Sequence, residues 1–208
     1  DQKYIVFFLG LSPEASTYDQ CNVFFDQKHV ARFVSTLLPS EYKLIIKEHP
    51  SQYIASYGRD PYYYKELFSH NNILFANNTS SLKLIKNSQC VITSTGTSGI
   101  ETIVLNKKLI MLGNNHYSIF KSINKVKTYD ELLNLIENLD ELKIPSEKER
   151  VKFFYHYKKA FFEGNIESFY KKASITKEEY DNEIKIYTES FFKIVNSLDK
   201  IKKEKFFS

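Results

Sequence analysis

Residues Gln89 to Ile100 read QCVITSTGTSGI. Gln89–Thr93 is a short apolar run with β-branched residues. Ser94–Gly99 is a turn of hydroxyls and glycines, and helical spacing begins at Ile100 and continues to about Asn106. Strand, turn and helix in that order form the repeating unit of a parallel α/β sheet. The same grammar extends in both directions. Downstream, Lys108–Leu112 (KLIML) is a strand closed by Gly113. Upstream lie Lys3–Leu9 (KYIVFFL) before Gly10, Lys43–Lys47 (KLIIK) before Glu48-His49-Pro50, and Asn72–Phe75. These runs are continuous rather than alternating, as in strands covered on both faces. Helices are expected between them: Phe24–Leu38, with Phe25, Val30, Phe33, Val34 and Leu37 on one apolar face, then Pro61–Phe68 and Ser80–Asn87. The prediction is a Rossmann-like parallel sheet of about five strands occupying residues 1–140.

From Thr128 onward the pattern is helical. Three capping boxes of the form S/T-x-x-E appear: Thr128 with Glu131, Ser146 with Glu149, and Thr176 with Glu179. The last opens a long helix with Tyr180, Ile184, Tyr187, Phe191, Ile194, Leu198 and Ile201 at alternating spacings of four and three, a single apolar stripe. Residues 141–208 are therefore expected to be a helical extension whose stripe packs on the sheet domain or on a missing neighbour, with a dimer seam as the second reading.

Composition narrows the partners. The chain has 208 residues, 42% of them hydrophobic, enough to bury a core. Its 29 basic and 25 acidic side chains give a net charge of +4. That balance argues against a nucleic-acid partner and suits small anionic ligands. Cys21 and Cys90 are far apart and form no CxxC, so neither a zinc site nor a disulfide framework is expected. The five histidines have no metal-ligand spacing. No run approaches the ~20 apolar residues of a membrane span, and no secretory signal is present. A reducing cytoplasmic location is expected. The Lys-rich end Lys200–Phe207 (KIKKEKFF) reads as a solvated tail or, alternatively, as a peripheral contact at the inner face of the membrane. The chain begins at Asp1 and enters an apolar run almost at once, which is expected of a piece of something larger.

In an open parallel sheet, ligands bind beyond the carboxyl ends of the strands. Three motifs fall there. Ser94, Thr95, Gly96, Thr97, Ser98 and Gly99 offer four hydroxyls, two glycines that admit close backbone approach, and the start of a helix, a phosphate-binding combination. It is neither a Walker loop nor GxGxxG, and Ser98 with Glu101 also matches a plain capping box. His49 follows a buried strand and precedes Pro50, which biases it to an extended conformation and aims the imidazole at the crevice; it donates to a nucleotide there or is a hydrogen-bonded structural histidine. Of the flanking Lys47 and Glu48, one must point away. Glu14, in the loop after the first strand, touches sugar or acceptor or merely caps the next turn.

Taken together, Pro13-Glu14-Ala15-Ser16-Thr17, Lys47-Glu48-His49-Pro50 and Thr95-Gly96-Thr97-Ser98-Gly99-Ile100-Glu101 resemble the C-terminal half of the capsule polysaccharide biosynthesis glycosyltransferases of GT-B fold, a group that includes the Kdo transferases. The likeness covers roughly Lys3 to Ile136. It implies one of two Rossmann-like domains facing a cleft, the other being a missing N-terminal domain that carries the acceptor site. It implies a sugar-nucleotide donor, in related enzymes CMP-linked, and a polysaccharide or glycolipid acceptor. His49 and Pro50 would contact the nucleotide, and Ser94, Thr95, Thr97 and Ser98 the phosphate. Glu101 would face the nucleotide, and Glu14 or His49 would be the candidate catalytic group. No metal or other cofactor is implied. Thr102 departs from the pattern, where alanine is expected. Rival readings are a polyol-phosphate transferase or a nucleotide-sugar epimerase of the same fold, and a non-catalytic scaffold domain in polysaccharide assembly.

Overall fold

The computed structural model describes residues 2–54, 58–76, 78–160 and 176–206. Six strands form one parallel sheet: β1 Lys3–Phe8, β2 Tyr42–Lys47, β3 Ile73–Phe75, β4 Cys90–Thr93, β5 Leu109–Met111 and β6 Asn124–Lys125, in the order β3-β2-β1-β4-β5-β6. Chain order reverses beside β1, the switch point at which such sheets open a crevice. The register makes this crevice level. Phe8 pairs with Lys47 of β2 on one side and with Thr93 of β4 on the other, so three carboxyl ends finish together.

The helices are α1 Ala15–Tyr18, α2 Gln27–Leu37, α3 Pro50–Ile54, α4 Pro61–Phe68, α5 Ser81–Asn87, α6 Ser98–Val104, α7 Tyr129–Glu137, α8 Glu147–Ala160 and α9 Lys177–Phe206. Ile5, Phe7, Leu44, Ile46, Cys90, Ile92 and Ile110 share one core cluster with Val30, Ala31 and Val34 of α2 and Leu132 and Ile136 of α7. The intervening strand residues Val6, Phe8, Val91 and Leu109 are buried as well, on the face that α6 covers. Burial of both faces is why these strands read as unbroken apolar runs.

Several expectations are corrected. A sixth strand, β6, extends the sheet although it is polar and only two residues long. Its Asn124 amide donates to Leu109 O and Lys143 O and accepts from the Lys143 N–H, replacing side-chain burial with hydrogen bonds. Pro50 does not merely close β2; it takes the first position of α3, where its missing N–H costs nothing. Phe25 precedes α2 instead of joining its apolar face, because Asp26 caps the helix by accepting the His29 N–H, and Phe25 is left exposed.

The capping boxes at Ser146 and Thr176 form in both directions. At Thr128 the hydroxyl caps the Glu131 N–H, but the Glu131 carboxylate reaches past it to the Lys127 N–H.

Backbone packing divides the chain into two compact units, Asp1–Val151 and Lys152–Ser208. In the second, Ile184, Tyr187 and Phe191 of the apolar stripe are exposed. The side chains of Ile194, Leu198 and Ile201, and those of the Lys200–Phe207 tail, lie outside the described residues. No described helix is long and apolar enough to cross a membrane.

Candidate functional site

A cavity of about 330 Å³ opens where β1, β2 and β4 end. β1 contributes Phe8, Leu9 and Gly10, and β2 contributes Lys47 and the Glu48–Ser51 segment that follows it. β4 contributes Thr93 and, through its turn, Gly96, Thr97, Ser98 and Glu101; Ser81 of α5 completes the wall. Segments far apart in sequence meet here because the register makes the strand ends level.

The loop after β1 is held by two glutamine amides acting as surrogate backbone. Gln27 of α2 accepts the Gly10 N–H at 2.5 Å and donates to Gly10 O at 3.1 Å. Gln52 of α3 accepts the Ser12 N–H at 2.9 Å and donates to Ser12 O at 2.8 Å. Both glutamines are buried, so these bonds compete little with water.

His49 heads α3. Its Nδ1 accepts the Ser51 N–H at 3.2 Å. The neutral ring then carries its proton on Nε2, leaving a donor for a ligand in the cavity. Lys47 lies on the same wall, and burial pulls its ammonium below the usual lysine range. Glu48 is the one that turns away. Its side chain is fully buried, and its carboxylate accepts from Arg59 Nε at 2.8 Å, Arg59 Nη2 at 3.3 Å, Tyr64 Oη at 2.8 Å and the His49 N–H at 2.8 Å. Arg59 Nη2 also donates to Gly10 O at 2.8 Å, tying the end of β2 to the end of β1. Sequence reading missed Arg59. One signal pointed to it: the chain has only three arginines among 29 basic residues, and a planar fork is chosen where bidentate pairing matters.

The Ser94–Gly99 turn divides its labour. Gly96, Thr97 and Ser98 line the cavity. Ser94 is fully buried beside Cys21, whose thiol burial pushes up while the Ser94 hydroxyl pulls it back. Thr95 Oγ1 donates to Ser16 O at 3.3 Å, and the Asn115 amide donates to Thr95 O, anchoring the turn from behind. Gly99 serves packing: a Cβ there would sit 2.4 Å from the hydroxyl of the fully buried Tyr117, which in turn donates to Gly96 O.

The capping box expected of Ser98 and Glu101 does not form. The helix starts at Ser98, which is therefore inside it, and the Ser98 hydroxyl lies 3.1 Å from Thr93 Oγ1. Glu101 is left with a solvent-shielded Oε2 that has no hydrogen-bond partner among the described residues, and burial pushes its carboxyl above the ordinary value. Thr102, the departure from the family pattern, is accommodated by donating to Ser98 O at 2.6 Å.

Glu14 is exposed, accepts from the Ser16 hydroxyl at 2.6 Å and does not line the cavity. Among the described residues, no group of three or more His, Cys, Asp or Glu is arranged to hold a metal ion.

Comparison with known proteins gives this geometry a family. Protein FixF of Sinorhizobium fredii (strain NBRC 101917 / NGR234) is 35% identical over 79 residues, 38% of this chain and 18% of FixF. The UDP-GlcNAc 2-epimerase of Methanocaldococcus jannaschii is similar over 76% of this chain and 46% of its own, with a TM-score of 0.50 and 16% identity. The KpsC β-Kdo 2,7 transferase of Thermosulfurimonas dismutans is similar over 64% of this chain and 44% of its own, with a TM-score of 0.49 and 19% identity. The chain thus spans less than half the length of each of these relatives, and the epimerase, at 16% identity, speaks for the fold alone. The family model described as capsule polysaccharide biosynthesis protein matches residues 14–125. That span takes in the His-Pro pair and the Ser94–Gly99 turn, and it is more than half of the 208 residues; the chain belongs to the capsule polysaccharide biosynthesis protein family.

Proposed function

We propose that the cavity at the ends of β1, β2 and β4 binds the nucleotide of a sugar-nucleotide donor. On this reading the chain is the donor-binding part of a glycosyltransferase that builds bacterial surface polysaccharide, with a further domain completing the acceptor side. The observation that carries the reading is convergence. His49, the Gly96–Ser98 turn and Glu101, from separate stretches of a chain in this family, line one cavity at the switch point of the sheet. Each has a matching chemistry. His49 Nε2–H and Lys47 supply donors for phosphate oxygens, and they stabilise charge developing on the departing nucleotide. The unpartnered Glu101 oxygen accepts a hydroxyl, such as that of a ribose. Glu14, outside the cavity, has no role in nucleotide binding here.

The test is calorimetric titration of the chain with CMP, CDP, UDP and GDP, with His49→Ala and Glu101→Ala alongside. One nucleotide should bind, and each substitution should weaken it by roughly tenfold, the loss of a hydrogen bond to a charged group. A folded chain that binds none of the four, or binds one equally well after both substitutions, overturns the assignment. Incubation with UDP-GlcNAc followed by product analysis separates transfer from epimerisation.

A further inference from the structure

A second cleft, of about 560 Å³, opens beside the first, within the range of small-molecule sites, roughly 300–1,000 Å³. The two share no lining residue. The partition between them is built from groups already described. Gln27 and Arg59 line the second cleft, while their amide and guanidinium hold Gly10 and Glu48 of the first. A molecule in one cleft is thus separated from the other by a wall whose polar groups are bonded across it.

The lining of the second cleft differs in kind. Three aromatic side chains are held partly in solvent: Tyr18 is 44% exposed, Phe25 51% and Tyr62 71%. The Tyr18 and Phe25 rings stack with centroids 6.1 Å apart and planes 29° apart, which holds the two as a pair. Single exposed aromatics are ordinary, but three around one cleft leave apolar faces for a ligand to cover.

Beside them stand two carboxylates in fixed orientation. Asp26 caps α2 by accepting the His29 N–H at 3.1 Å, and Asp60 caps α4 by accepting the Tyr62 N–H at 2.8 Å. Each uses one oxygen in its cap, and the other oxygen retains acceptor capacity. The Ser12 and Tyr18 hydroxyls lie 3.2 Å apart on the same lining. The nearby Lys28 ammonium is paired with Glu66, and the Arg59 guanidinium with Glu48. Negative charge is therefore less compensated than positive charge here, the reverse of what a phosphate needs.

Flat apolar faces flanked by acceptors suit a ring with one C–H face and a hydroxyl rim. Polarised C–H groups sit on the negative face of an aromatic ring, and hydroxyls donate to carboxylates. We propose that this cleft is a carbohydrate subsite that holds a neutral pyranose of the acceptor glycan. The acceptor role rests on the donor reading of the neighbouring cavity. The sugar stacks on Tyr18 and Phe25 or on Tyr62, and its hydroxyls donate to Asp26 and Asp60.

Saturation-transfer NMR on the full chain tests this with methyl β-glycosides of glucose, galactose and N-acetylglucosamine as probes. At least one probe should receive saturation at its ring C–H protons. The signal should fall about fivefold or more in Tyr62→Ala, in Phe25→Ala or in both, the scale of a lost stacking contact. Both side chains are exposed, so circular dichroism should match the wild type. His49→Ala should leave the sugar signal unchanged. No transfer from any probe, equal transfer in both variants, or loss of transfer in His49→Ala would each overturn the proposal. The nucleotide titration fails or succeeds separately, because it reads His49 and Glu101 in the other cavity.

Discussion

Gly96, two residues before the start of α6, and Gly99, one residue after it, look equivalent in sequence and are not. At Gly99 an added Cβ would overlap Tyr117, with two ring atoms and the hydroxyl within 2.6 Å, and Tyr117 is fully buried and cannot swing aside. At Gly96 the nearest atoms are the Thr93 and Ser98 hydroxyls at 3.2 and 3.4 Å, which a small rotation accommodates. Gly99→Ala should cost about 1–3 kcal/mol in urea denaturation, the usual penalty of overpacking, and Gly96→Ala clearly less; equal costs would sink this account. Glu101 gives a pH prediction. Burial raises its carboxyl above 4.5, so the folded state keeps a proton that the unfolded chain has lost. Its contribution is present below the ordinary carboxylate range and is lost as pH rises through the raised value. Glu101→Gln cannot ionise, so its melting temperature should gain on the wild type as pH rises above the ordinary carboxylate range. A difference that does not change with pH would mean that the carboxyl is solvated.

At the scale of elements, the strand ends are organised by pairs of polar side chains, and these were the least legible part. The sequence showed that β2 ends in Glu-His-Pro and that Glu48 and Lys47 must diverge. It did not show that Glu48 would meet Arg59 and Tyr64, because those lie 11 and 16 residues on, and no local period links them. Gln27 and Gln52 were invisible for the same reason: a glutamine that holds a loop backbone reads like any polar helix residue. The fork at Arg59 is the element to break. Its side chain is 7% exposed and that of Glu48 0%, so Arg59→Ala leaves a buried carboxylate without its cation and should cost about 3–5 kcal/mol. Adding Glu48→Gln to that variant removes the stranded charge and should recover part of the loss. Chemical denaturation of both singles and the double closes the cycle. Additive losses would mean that the pair does not act as a unit.

For the molecule as a whole, the sheet was legible because parallel strands bury both faces and announce themselves as apolar runs. β6 was not, since an edge strand held by the Asn124 amide has no apolar signature. The site was legible as a location, because the topology brings three strand ends together. It was less so as a residue list, because Ser94 and Gly99 carry the same chemistry as their cavity-lining neighbours but face the core. The helical remainder was placed by its capping boxes, yet nothing in the stripe says what covers it. The core cluster bears on that remainder: every residue in it lies between Ile5 and Leu142, inside the first compact unit. If that cluster supplies the folding energy of the sheet, a chain ending after Ala160, at the close of α8, should lose none of the hydrophobic contacts that hold the cavity together. It should unfold in one cooperative transition and bind the nucleotide found for the full chain within about twofold, since removing an independent unit leaves the other's contacts unchanged. Thermal denaturation and the same calorimetric titration decide it. A truncated chain that precipitates, melts broadly or loses the nucleotide would make the C-terminal helices part of the binding domain and would move the domain boundary to the end of the chain.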